Sequence, residues 1–205
     1  MRLLLVRHGE SICSVNGIVG GEKGCTGLTD RGFAQARALA DRLEREGLVP
    51  DVVLASTLPR AHQTAETIAD RMGVAIASEA RLREFVPGEI DGTPWADFEG
   101  FDVLAEPDRP ISPGGESLHM FRGRVRDLLD ELATEYDGKT VLAACHGGII
   151  IESIVRFFDV PNSRPLRIQV DFTSITEWTV EDGAWTLVRF NDVAHLLSSD
   201  LLVTR

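Results

Sequence analysis

The feature that most constrains the fold is a set of short, continuously apolar runs, each joined to the next by helical periodicity. "LLLV" (3–6), "DVVLAS" (51–56), "VAIAS" (74–78) and "TVLAAC" (140–145) show no polar alternation. Strands of this kind are covered on both faces. Between the first two, Thr29 or Asp30 can cap a helix with Ala36, Leu39, Ala40 and Leu43 on one face, ending near Gly47. Pro59 suits the first turn of a second helix lined by Ala61, Ala65, Ile68 and Met72 and closed by Gly73. Leu118, Phe121, Val125, Leu128, Leu129 and Leu132 mark a long amphipathic helix, and "GGIIIESIVRFF" (147–158) a helix apolar on most sides. This alternation predicts an α/β fold: a three-layer α/β/α arrangement around a mainly parallel sheet.

The remaining segments add detail. "ITEWTV" and "WTLVRF" flank "EDGA", which predicts a C-terminal antiparallel hairpin turning on Asp182–Gly183. Residues 11–27 read as a glycine-rich loop. Residues 85–116, rich in Pro, Gly and acid, read as a partly irregular, lid-like insertion. Trp95, Phe98 and Phe101 within it could line a lid, although loose aromatics more often form a small satellite cluster. With 205 residues and no repeat, the whole chain (1–205) is expected to form a single domain.

Charge and cysteine usage narrow the partners. A net charge of −11 argues against nucleic acid or an anionic membrane as the main partner, since both call for a basic surface. No apolar run approaches the roughly 18 residues of a membrane span, and the opening "MRLLLV" is too short for a signal peptide. Three cysteines give no disulfide framework, so a cytoplasmic setting is the default expectation. Local positive pockets for small anions remain compatible with an acidic chain.

In open α/β sheets, ligands bind beyond the C-terminal ends of the strands. The residues at those ends are Arg7–His8–Gly9–Glu10, Ser56 to Arg60, Arg81 to Glu84, and His146–Gly147–Gly148. Parallel neighbours lie only about 5 Å apart, so these groups could meet. Clustered arginines repel one another unless an anion lies between them, and their planar donors match phosphate or carboxylate oxygens. A histidine among guanidinium groups is kept neutral and nucleophilic, able to attack a phosphoryl group if its other ring nitrogen is held by a backbone carbonyl. Gly9 leaves room for that approach. Gly147 can offer an amide at a helix N-terminus. Glu84 is the candidate proton donor, with Glu89 or Asp91 as alternatives. His62, His119 and His195 have no evident chemical role.

In their order along the chain, "LVRHGES", "LTDRGFAQA", "STLPRAHQTA", "LRE", "PGGES" and "CHGGII" resemble the motifs of the histidine phosphatase superfamily, the phosphoglycerate mutase-like fold. "ITEW…WTLVRFNDVAHL" is similar to the family's C-terminal strands, so the likeness covers nearly the whole chain. The resemblance implies that His8 is the phosphorylated nucleophile. It also implies that Arg7, Arg60 and His146 hold the phosphoryl group and that Glu84 is the proton donor. Two departures fall in the loop beside the substrate. Ser14 stands where relatives often carry a phosphate-contacting Asn, so that Ser14 or the nearby Asn16 is expected to take that role. Gly27 replaces a usual acidic residue.

The expected activity is metal-independent hydrolysis of a small phosphorylated metabolite without a cofactor. The histidines show no zinc-ligand spacing. Two other readings are a phosphoglycerate mutase-type phosphotransferase and a non-catalytic phosphoester-binding module. The segment between LRE and GES is shorter than in typical mutases of this resemblance, which favours hydrolysis, and the intact set of site residues argues against a mere binding module. Cys25 and Arg31 fit the C-x5-R spacing of cysteine-dependent phosphatases, but no strand precedes Cys25 and Asp30 would repel phosphate. Exposed edge strands make a homodimer possible.

Overall fold

A computed structural model describes residues 1–158, 167–197 and 200–202. Among these residues, six strands form one sheet: β1 (Arg2–Arg7), β2 (Val52–Ala55), β3 (Ile76–Ser78), β4 (Thr140–Cys145), β5 (Ile175–Glu181) and β6 (Ala184–Asp192). Their order is β3-β2-β4-β1-β5-β6. The first four are parallel, and β5 and β6 add antiparallel to β1 and to each other. The hairpin turns on Asp182 and Gly183 with φ of 49° and 79°, the left-handed pair that matches strand twist.

Among the described residues, five α-helices accompany the sheet: α1 (Ile12–Val15), α2 (Asp30–Arg45), α3 (Pro59–Met72), α4 (Leu118–Glu135) and α5 (Gly147–Phe157). Successive strand residues point to opposite faces. Leu4 and Val6 of β1 therefore pack with Leu39, Leu43 and Ile68 of α2 and α3. Leu3 and Leu5 pack with Val125, Leu128 and Ile149 of α4 and α5. Among the described residues, no helix is long and apolar enough to cross a membrane.

Two boundaries differ from the sequence expectation, and one of its alternatives is resolved. The loop over 11–27 contains α1, whose N-cap Ser11 accepts from the Ser14 amide at 3.4 Å. The third strand begins at Ile76 rather than Val74, because the Val74 amide is used by the Ala69 carbonyl at the end of α3. Thr29 is the cap of α2, its hydroxyl accepting from the Gly32 amide at 3.0 Å.

The segment 85–116 is irregular apart from two short 3-10 turns, Gly88–Ile90 and Trp95–Asp97. It is tied to the 11–27 segment by backbone bonds: Val19 to Thr93 (2.8 Å), Gly92 to Val19 (3.0 Å) and Trp95 to Gly17 (2.8 Å). The Asp91 carboxylate accepts from the amides of Gly21, Lys23 and Gly24 at 2.8–3.0 Å.

Candidate active site

The sheet order brings together the ends of β1, β4 and β2. Arg7 pairs in register with Cys145, and the amides of His8 and Ser56 continue the ladders onto the carbonyls of Cys145 and Ala144, both at 3.0 Å. His8 and His146 thus face each other with ring centroids 5.2 Å apart. Arg60 arrives from the first turn of α3, and Glu84 from the stretch after β3.

His8 is buried, and its Nδ1 lies 2.7 Å from the Gly9 carbonyl oxygen. An oxygen acceptor there places the proton on Nδ1. Nε2 is left as the acceptor, which receives the Arg60 Nε–H at 3.1 Å. Arg60 also donates from Nη1 to the Gly20 carbonyl at 2.6 Å. Arg7 lies over the Phe172 ring at 4.2 Å and donates to the Val170 carbonyl. His146 is fully buried with Nε2 2.8 Å from Ser56 Oγ. Burial, followed by the charges of Arg60, His8 and Arg7, holds its pKa well below the usual histidine value.

Glu84 is anchored at both carboxylate oxygens. The Phe85 amide donates to Oε1 and the Gly148 amide to Oε2, each at 3.0 Å. The approach is so close that a Cβ on Gly148 would sit 2.1 Å from Oε1. It is Gly148, then, whose amide at the start of α5 is engaged, while Gly147 lies beside Arg7. Arg81 and Arg83 do not join the cluster: they pair with Glu79 and Glu131, and with Glu22. Asp91 is occupied by the three loop amides, and neither it nor Glu89 lines the pocket.

Arg7, His8, Arg60 and Glu84 open into one pocket of about 440 Å³. Ser14 also lines it, its hydroxyl 2.7 Å from that of Ser11. Asn16 is the exposed C-cap of α1 and does not line it. Trp95 is a pocket residue and touches Phe98 edge-on, whereas Phe101 stacks on Arg109, so the three aromatics do not form one cluster. Cys25 is a buried free thiol, while Arg31 donates to the carbonyls of Asp200 and Leu202. The two ends of the C-x5-R spacing therefore serve different neighbourhoods.

Reading the sequence alone missed the support of Glu84. Arg124 donates to the carbonyls of Arg81 (2.5 Å), Arg83 (2.9 Å) and Glu84 (3.4 Å). It is held by both carboxylate oxygens of Glu116, which also accepts the Val86 amide at 2.9 Å. Glu116 lies in "PGGES" and Arg124 two helical turns later, a spacing that marks a pair around an N-terminus but not what the pair holds.

A sequence profile of the histidine phosphatase superfamily (branch 1) matches residues 3–193. A putative phosphoserine phosphatase 2 from Hydrogenobacter thermophilus is 32% identical over 200 residues, covering 95% of this chain and 97% of that one. A probable phosphoglycerate mutase from Yersinia enterocolitica is 25% identical over 207 residues, covering 96% and 95%. Among solved structures, an Entamoeba histolytica phosphoserine phosphatase variant in complex with phosphoserine superposes with a TM-score of 0.81 at 26% identity, covering 96% of this chain and 99% of that one. The α-ribazole phosphatase from Shigella flexneri gives 0.82 at 27% identity, covering 95% and 98%.

Proposed function

The chain belongs to the histidine phosphatase superfamily and is a histidine-dependent phosphatase; on that premise we propose that it hydrolyses a small phosphomonoester through a phosphohistidine on His8 Nε2. The observation that carries this reading is the hydrogen bond from His8 Nδ1 to the Gly9 carbonyl. It leaves the Nε2 lone pair beside Arg60, at the pocket. Nε2 attacks phosphorus as the P–O bond to the alcohol breaks, and Glu84, protonated for this step, gives the leaving oxygen its proton. Water then attacks the phosphohistidine, Glu84 takes back a proton, and the P–N bond breaks to release phosphate and restore neutral His8.

Arg7, Arg60 and His146 take up the transferring oxygens, supplying charge and donors where negative charge is spread in the transition state. A neutral His146 donates one ring N–H, and Ser56 orients the ring. In this reading Gly147 contributes its amide beside Arg7, and Ser14, rather than Asn16, is placed to touch a phosphate oxygen. The 85–116 segment covers the alcohol side of the substrate.

The test is p-nitrophenyl phosphate hydrolysis without added metal, paired with rapid quenching. The wild type is expected to release phosphate and to accumulate an acid-labile, alkali-stable phosphoenzyme. His8→Ala is expected to lose both. Full turnover by folded His8→Ala would refute the mechanism.

A further inference from the structure

The pocket is divided sharply by chemistry. At its floor are Arg7, His8, Arg60 and Glu84; its walls are Ile18, Val19, Phe85, Pro87, Trp95 and Ile111. Among the described residues lining it, the only cationic side chains are the two floor arginines. Both face the phosphoryl position, and Arg60 already serves His8 and the Gly20 carbonyl. Ser14, the one hydroxyl lining the pocket, is bonded to Ser11 and is assigned above to the phosphate, so it leaves no further donor for a second anion. A second anionic group on the substrate would lie against apolar carbon and close to Glu84. Desolvating a carboxylate without a partner is costly, and the nearest charge would repel it.

A neighbouring hollow shares Glu84, Phe85 and Pro87 and contains Lys23 and Arg83. It offers no surplus positive charge. Arg83 is paired with Glu22, and the hollow's three carboxylates, Glu22, Glu84 and Asp91, outnumber its two cations, Lys23 and Arg83. The wall is braced by its own backbone. Bonds join 17–19 to 92–95 and hold Ile18 and Trp95 across from each other. Apolar surface with convergent polar groups at one end selects a ligand with that same division.

We propose that the substrate class is phosphomonoesters of uncharged alcohols with an apolar or aromatic face, and that Trp95 and Ile111 are specificity-determining residues. This rests on the phosphatase reading above. The phosphate enters the floor, the ester oxygen lies by Glu84, and the carbon skeleton lies between Ile18, Trp95 and Ile111.

The experiment compares kcat/KM for benzyl phosphate, glycerol 1-phosphate, phosphoserine and 3-phosphoglycerate, all esters of poor alkoxide leaving groups, with p-nitrophenyl phosphate as reference. Benzyl phosphate is expected to exceed 3-phosphoglycerate and phosphoserine by about tenfold or more, with the difference in KM. Trp95→Ala, at a half-exposed position, is expected to collapse the benzyl-to-glycerol ratio through KM. Ile111→Lys, which adds the missing cation, is expected to raise 3-phosphoglycerate relative to benzyl phosphate. Circular dichroism checks that both variants fold.

His8-dependent turnover that favours phosphoserine or 3-phosphoglycerate would overturn this inference and leave the phosphatase reading intact. An unchanged benzyl-to-glycerol ratio in folded Trp95→Ala would overturn the role of that residue. Absence of turnover on p-nitrophenyl phosphate would overturn both readings.

Discussion

At the residue scale, the site is a problem of keeping imidazoles neutral beside arginines. His146 is held well below the ordinary histidine pKa by burial and by Arg60. His195, buried against Thr173 Oγ1 at 3.0 Å, is pushed down to about 4, chiefly by burial. An unfolded histidine takes a proton near pH 6.5. Below that pH the unfolded chain therefore binds more protons than the fold, so the stability these two groups contribute above pH 6.5 is lost as pH falls towards 4. The urea midpoint is expected to drop between pH 7 and 4.5, and less steeply in His195→Gln, which keeps a partner for Thr173. Equal slopes in the two proteins would contradict the assignment to His195. The placement of Arg7, His8, Arg60 and His146 was legible because each lies at a strand end or a helix start. Arg124 and Gly148 were not: their function is to hold Glu84, and nothing in their own neighbourhoods names a partner 40 or 64 residues away.

At the element scale, the loop after β1 is fixed by backbone packed on backbone. A Cβ at Gly9 would meet the Gly32 carbonyl oxygen at 2.6 Å, and one at Gly32 would meet the Glu10 carbonyl oxygen at 2.1 Å. No flexible side chain is available to yield, so the first turn of α2 serves as a buttress for His8. Gly32→Ala is expected to cost about 1–3 kcal/mol of stability and to lower kcat, by displacing the His8 loop. Denaturation and p-nitrophenyl phosphate kinetics on the same preparation measure both, and a variant matching wild type in each would refute the buttress. The "TDRG" run disclosed the start of the helix but not this contact, which exists only once β1 and α2 are assembled. Four-residue α1 escaped for a related reason. It is too short for periodicity to register, and its cap reads equally well as a loop serine. The strands and long helices were legible because their burial patterns repeat.

At the scale of the whole molecule, one charge network joins the antiparallel half of the sheet to α2. Glu177 on β5 pairs with Arg2 on β1 and Arg189 on β6, at 2.5 Å each. Asp192 at the end of β6 pairs with Arg189 and with Arg42 of α2. The Glu177 side chain is almost fully buried, so neutralising it leaves two guanidinium groups sharing an uncharged partner. Glu177→Gln is expected to lose about 1–3 kcal/mol by urea denaturation while its kcat/KM stays near wild type, because the network lies away from the pocket. A stability unchanged from wild type would show the network to be energetically idle. The sheet's order was only partly foreseeable. Parallel strands followed from helix-linked apolar runs, but β4 lying between β2 and β1 is set by how the two hydrophobic faces are filled.

The two halves of the pocket are anchored very differently. On its floor, Arg7 and His8 hang from the end of the central strand β1, which is paired on both sides, while Arg60 opens α3 and Glu84 is held by the Phe85 and Gly148 amides. On its wall, Ile18 and Trp95 hang from a handful of loop bonds between 17–24 and 91–95, outside the sheet. Exchanging Ile18, Trp95 or Ile111 therefore touches little of the folding free energy, whereas any change on the floor engages the core. On the substrate reading proposed above, the choice of alcohol is evolvable apart from phosphoryl transfer: a lineage can sample new leaving groups by drift at three wall positions while the reaction itself is inherited unchanged.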